Sequence, residues 1–242
     1  MSGNAKERVL VPLSMYAREY YRSPLNLVLL VVIPVLLILS FGSALTRFSG
    51  LLDQVPAPEV GNALGAVWAA AFLTGIMGFY MMFGAREADR RLVRSGYSAL
   101  SVVLLRMTTV ALLGLLATAT SYAVLITRVT PDNYPATFAA IYLAALIYGA
   151  IGILIGSLIT GELEGSFALL FFFIMDAFIG SPLFGSSSEV FAILPTHYPS
   201  LIVTAMTAGE VHSAMHWLYA TLYLAAAGSL AAVAFYKTAK VT

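Results

Sequence analysis

The sequence contains no cysteine, which excludes disulfides, thiolate metal sites and a cysteine nucleophile. Charge is also scarce. Charged residues make up 10% of the 242 and hydrophobic residues 60%, whereas a typical soluble domain has about 25% and about 45–50%. A soluble domain of this length keeps a largely polar exterior, so the composition excludes an ordinary soluble enzyme. Catalytic signatures are missing too. No G-x-S-x-G, H-E-x-x-H or G-x-x-x-x-G-K-[ST] occurs in the chain, so nothing supports a serine-hydrolase elbow, a zincin or a nucleotide-binding P-loop. No catalytic residue is assigned, and the chain is not expected to hydrolyse ATP by itself. A net charge of +1 gives no argument for nucleic-acid binding.

What is present is a succession of apolar runs. One bilayer crossing takes about 20 apolar residues, and six such runs are legible, at 25–45, 61–83, 107–126, 137–159, from 166 onward, and at 215–235. The expected fold class is therefore an all-α integral membrane protein, with 25–242 forming a single six-helix transmembrane domain. Residues 1–24 read as an amphipathic interfacial helix, with Leu10, Leu13, Tyr16 and Tyr20 on one stripe and Arg18 and Arg22 beside it. A cleaved signal peptide is the competing reading. The length of the leading segment and the span-length apolar run disfavour it.

Pro24 opens the first run and Pro34 lies near its middle, where a kink is expected. Gly61, Gly65, Gly75 and Gly78 in the second run, and Gly149, Gly152 and Gly156 in the fourth, are small residues of the kind that let helices approach closely in lipid. Between the second and third runs stands the densest charge cluster, Arg86, Glu87, Asp89, Arg90, Arg91 and Arg94. The stretch 84–106 is predicted to be a separate amphipathic connector helix on the membrane surface. That placement puts Arg106 at the membrane edge, because an arginine at mid-bilayer costs about 2.5–3.5 kcal/mol on insertion scales. The stretch 182–210 alternates brief apolar pieces with Pro195 and Pro199 and reads as re-entrant or extracytoplasmic.

Lys and Arg counted on alternate sides of the six runs give the orientation. One side receives Lys6, Arg8, Arg18, Arg22, Arg86, Arg90, Arg91, Arg94, Arg106, Lys237 and Lys240, eleven in all, and the other receives two, Arg47 and Arg128. This asymmetry predicts both termini in the cytoplasm of a multi-pass protein of the plasma membrane.

Few residues suggest chemistry within the membrane. Asp176 is the one carboxylate expected at membrane depth; it either faces a substrate path or caps the helix that follows. Phe171 and Phe172 belong to an aromatic-rich fifth run that either lines an apolar path or packs against lipid. His197, His212 and His216 fall in one extracytoplasmic region, where an interfacial role outweighs a metal site; no metal site is assigned. The Arg86–Arg94 cluster carries both signs of charge, which suits a face presented to a cytoplasmic protein better than a bare positive flank.

Taken in order, these features resemble a known family. Ala17-Arg18-Glu19 and Arg22-Ser23-Pro24 run into a first span containing Ile33-Pro34 and Phe41-Gly42. A charged connector follows the second span, and a proline-containing re-entrant stretch precedes the last. The arrangement resembles the ABC-2 type membrane subunits of ATP-binding-cassette exporters over nearly the whole chain. The connector carries Arg86-Glu87 and Ser95-Gly96 where the family pattern has Glu-Arg followed by Gly-Thr. The resemblance implies a second copy of the chain and two copies of a separate ATPase subunit, which would bind ATP and Mg; no cofactor is expected in this chain. It also implies that Arg86, Glu87, Asp89, Arg90 and Arg91 contact the ATPase, braced by Arg18, Glu19 and Arg22. The expected cargo is hydrophobic or amphipathic, such as a drug, an antibiotic or a lipid. A polysaccharide or glycolipid exporter of the same fold is the alternative, and an ion-coupled secondary transporter is a further one.

Overall fold

The computed structural model describes residues 24–47, 58–180, 192–209 and 213–240. Among them are seven helices and no strand: α1 (Pro24–Arg47), α2 (Pro58–Arg94), α3 (Ala99–Leu125), α4 (Tyr134–Leu158), α5 (Glu162–Ile179), α6 (His197–Ala208) and α7 (Ala214–Lys240). The expected interfacial helix, with Arg18, Glu19 and Arg22, lies outside the described residues, as does His212.

Four helices, α2, α3, α4 and α7, are long and apolar enough to cross a membrane. Pro34 sits inside α1 without breaking it, and α1 contributes the shorter apolar stretch Leu30–Ala44. The 18 residues of α5 include the carboxylates Glu162, Glu164 and Asp176. With 12 residues, α6 is about 18 Å long, too short for a hydrocarbon core of about 30 Å.

Local chemistry fixes the helix ends. Ser98 caps α3, its hydroxyl accepting from the Ser101 N–H at 3.0 Å. Asn133 caps α4 by accepting from the Ala136 N–H at 3.1 Å, with Pro135 in the first turn where its missing N–H is harmless. At the end of α2, the Tyr97 N–H reaches Leu92 O and the Gly96 N–H reaches Val93 O, both at 3.1 Å. Gly96 adopts φ +97°. This is the Schellman arrangement, whose left-handed residue is tolerated by glycine.

Here the structure corrects the expectation of a separate connector helix. Helix α2 runs unbroken to Arg94, the chain turns over residues 95–98, and α3 has begun by Ala99. Arg106 lies inside α3 rather than at its edge, and it is buried. The predicted penalty for placing it there is met by a counter-charge: Asp89, near the end of α2, is buried against it. The stretch 84–106 is therefore a helical hairpin.

Helix α2 packs most extensively against α4, and the expected glycines make the contact. A Cβ added to Gly152 would overlap the Gly75 carbonyl oxygen, and one on Gly78 would lie 2.6 Å from Gly149 O. Further along, a Cβ on Gly156 would lie 2.9 Å from both Met82 Cβ and Phe79 O. Gly65 does the same for α1, where an added Cβ would approach Ile38 Cα to 2.8 Å. Lipid offers no hydrophobic drive for helices to associate, so close backbone approach of this kind supplies the van der Waals contact that holds them.

Gly152→Ala forces α2 and α4 apart and is expected to cost about 1–3 kcal/mol, as overpacking does. By contrast, Gly84 in the same α2 helix has nothing within 4 Å of an added Cβ. Gly84→Ala is expected to be neutral or to stabilise by about 0.5–1 kcal/mol. Thermal unfolding of the two purified variants in one detergent checks the contrast.

Candidate functional site

The charge cluster at the end of α2 divides by helical phase. At about 100° per residue, Gly75, Gly78, Met82, Arg86 and Asp89 share one stripe. Glu87, Arg90, Arg91 and Arg94 fall on the neighbouring face. The stripe faces the bundle because its glycines touch α4, so Arg86 and Asp89 are carried inward.

Arg86 ends up at the C-terminus of α4. Its Nε donates to Gly156 O at 3.1 Å, and its Nη2 donates to the carbonyls of Gly156 and Ile159. Gly156 lies in the last turn of α4, and Ile159 is the residue that caps it. Carbonyls at a helix C-terminus have no partner within the helix and carry the negative end of its dipole, which favours a cation there. The guanidinium also stands 5.6 Å from the centre of the Phe83 ring. One turn on, Asp89 meets Arg106 of α3. Arg106 Nη2 donates to Asp89 Oδ1 at 2.9 Å and its Nε to both carboxylate oxygens at 3.3 Å. Asp89 is 1% and Arg106 3% exposed.

The other members of the cluster face outward. Glu87 and Arg91 pair with each other across one turn, both largely exposed, and Arg90 and Arg94 are exposed beside them. A shallow, open depression of about 540 Å³ is bordered here by Gly84, Glu87, Ala88, Arg91, Leu92 and Ser95. The five connector residues singled out in the sequence therefore do not form one surface. Three of them face outward and two are used within the fold.

Asp176 is wholly buried near the far end of α5. It accepts from the Tyr148 hydroxyl of α4 at 2.5 Å and from the Thr196 N–H at 3.2 Å. Thr196 is the N-cap residue of α6, so the carboxylate sits at a helix N-terminus, where backbone N–H groups and the dipole favour an anion. The adjoining His197 donates from Nδ1 to Gly180 O at 2.9 Å, because a carbonyl oxygen can only accept. Of the two aromatic residues of the fifth run considered for an apolar path, Phe172 is half-buried with its ring 6.3 Å from that of Tyr148. Phe171 is exposed on the outer face of α5. His216 lies against the ring of Tyr198, 6.0 Å between centres.

Residues such as Tyr148, Thr196 and the Gly156 carbonyl were not singled out from sequence. One signal was available for Arg86. Its spacing of eight residues from Gly78 and four from Met82 places it on the glycine stripe. The partners of Asp176 come from distant parts of the chain and left no such signal.

The ABC-2 family transporter protein family matches residues 53–235, from before α2 to the last turns of α7. No curated protein matches the chain.

Removing one member of the buried pair is expected to be costly where removing both is not. Asp89→Leu deprives Arg106 of its carboxylate, at a cost of up to about 3–5 kcal/mol, whereas Asp89→Leu with Arg106→Met is expected to recover most of that loss. Thermal unfolding of the two single variants and the double variant measures the coupling.

Proposed function

The chain belongs to the ABC-2 family of transporter proteins, and on that premise we propose that it is the membrane subunit of an ATP-driven exporter powered by a separate ATPase. The membrane subunit of such a transporter is a multi-pass protein. We count α1 and α5 as crossings beside the four long apolar helices, giving six.

The end of the bundle that carries the α2–α3 hairpin is read as cytoplasmic. It holds Arg86, Arg90, Arg91, Arg94, Arg106, Lys237 and Lys240, while Arg47 and Arg128 stand at the other end. Such an excess belongs on the cytoplasmic side. Two copies of the chain pair in the plasma membrane, and each hairpin receives one ATPase subunit.

The observation that carries this reading is the division of the charge cluster. Arg86 and Asp89 are engaged within the subunit, which leaves Glu87, Arg90, Arg91 and Arg94 as the face that meets the ATPase. The shallow depression between Gly84 and Ser95 receives a projecting part of that partner. The N-terminal segment, through Arg18, Glu19 and Arg22, braces the same contact. ATP and Mg are bound by the partner. Nucleotide-driven closure of the ATPase pair moves the hairpins and changes the path between the two copies, because a ligand shifts a conformational equilibrium only through differential contact with its states.

The cargo is read as hydrophobic or amphipathic. Supporting this, α5 carries exposed Phe167 and Phe171, and Asp176 is already satisfied by Tyr148 and Thr196. A polar glycan would call for more exposed polar groups along the helices. The same engagement of Asp176 counts against an ion-coupled mechanism, for which it was the one candidate group.

Tagged protein, extracted from native membranes in mild detergent, is expected to bring down an ATPase subunit with vanadate-sensitive ATP hydrolysis. Reversing Glu87, Arg90 and Arg91 together is expected to lower that recovery by about tenfold or more, equivalent to about 1.4 kcal/mol of association. Undiminished recovery and hydrolysis would overturn the docking assignment.

A further inference from the structure

We propose that Arg86 is a positioning residue of the transport cycle, tying the α2–α3 hairpin to the corner between α4 and α5 so that movement of the hairpin is passed on to α5. This rests on the reading of the hairpin as the place where the ATPase docks.

The tie is direct. Through one guanidinium, Arg86 holds carbonyls of Gly156 and Ile159, seventy and seventy-three residues away in the chain. Three residues beyond Ile159, α5 begins at Glu162. The α2–α3 hairpin and the α4–α5 corner are thus joined by charge-assisted hydrogen bonds, stronger than neutral ones. No flexible chain has to transmit the motion.

The spacing that permits this comes from the packing beneath it. Gly156 lets α4 approach Phe79 and Met82 closely, and Arg86 follows Met82 by one turn, so its side chain starts level with the end of α4. A second contact strengthens the joint on the α5 side. Gly165, in the first turn of α5, lies so close to the Phe79 ring that an added Cβ would overlap it.

The far end of α5 is fastened as well. Asp176 accepts from Tyr148 of α4 and from the N-cap residue of α6. A continuous route therefore runs from the hairpin through Arg86 to the α4–α5 corner, along α5, and through Asp176 to α6. The face offered to the partner and the residue that relays its push lie on different sides of one helix. A lysine at position 86 would supply a point charge but not the fork that spans both carbonyls.

Two features of this role differ from that of a cap that merely stabilises α4. The effect of changing Arg86 is felt at α5, and it is felt when nucleotide acts. Since the chain has no cysteine, a single Leu163→Cys in the exposed first turn of α5 can carry an environment-sensitive fluorophore in the full complex with its ATPase subunit. ATP with vanadate is expected to change the fluorescence of the otherwise native complex. In the Arg86→Gln background that change is expected to shrink by about fivefold or more, the lower end of ordinary coupling. The ATPase subunit should still co-purify in equal amount and still hydrolyse ATP. Arg86→Lys is expected to give an intermediate response.

An unchanged response in Arg86→Gln would overturn the proposal. So would a loss that only follows a fall in melting temperature, with Arg86→Lys no better than Arg86→Gln. If the docking reading is at fault, the failure is distinct: no ATPase subunit accompanies the unmodified chain, or its recovery is undiminished when Glu87, Arg90 and Arg91 are reversed, and both claims fall together.

Discussion

With no side chain between Gly75 and Gly152, the backbones of α2 and α4 meet directly, and the register this imposes is kept from Gly78 beside Gly149 to Met82 beside Gly156. At one end it sets Tyr148 and Thr74 against their neighbours on α3 and α5. At the other it brings Gly156 against Met82 and so delivers Arg86 to the end of α4. A helix in lipid gains nothing from hiding apolar surface against another apolar helix. Close packing and satisfied polar groups have to hold the bundle instead, and the glycine contact provides the first while positioning the second.

The charges follow from that geometry. A buried guanidinium or carboxylate is tolerated only where it is paired, and the buried Asp89 and Arg106 and the half-buried Arg86 each have a partner within reach. Arg86 meets helix-terminal carbonyls, while Asp89 and Arg106 meet each other. Turned outward, Glu87, Arg90, Arg91 and Arg94 have water and, in the proposed complex, an ATPase. One helix thus presents a docking face and, on its other side, the fastenings by which docking is felt elsewhere. Asp176 serves a similar purpose at the far end of α5, joining the end of one helix to the start of the next.

Much of this was legible in the sequence, because membrane helices announce themselves by length and apolarity and because glycines in two such helices suggest a close contact. The resemblance to ABC-2 membrane subunits rested on the order of the elements, and the family match over residues 53–235 supports it. The hairpin is not legible in the sequence, for a specific physical reason. An insertion cost assigned to Arg106 by itself argues for moving it out of the helix. The cost changes once Asp89, seventeen residues earlier, is buried beside it, and that pairing depends on how α2 and α3 pack. The inward turn of Arg86 could have been read from its phase relative to Gly78 and Met82. Its acceptors could not, since they are backbone carbonyls of another helix and leave no mark in composition.

The division of one charged segment into an inward and an outward set is tested most directly by thiol labelling. Single cysteines at 86, 87, 89, 90, 91 and 94 would be introduced into this cysteine-free chain and exposed to a membrane-impermeant maleimide in inside-out vesicles that lack the ATPase subunit. The account predicts fast labelling at Glu87→Cys, Arg90→Cys, Arg91→Cys and Arg94→Cys and slow labelling at Arg86→Cys and Asp89→Cys, with none labelled in right-side-out vesicles. Uniformly fast labelling along the segment, or labelling from the opposite side, would contradict it.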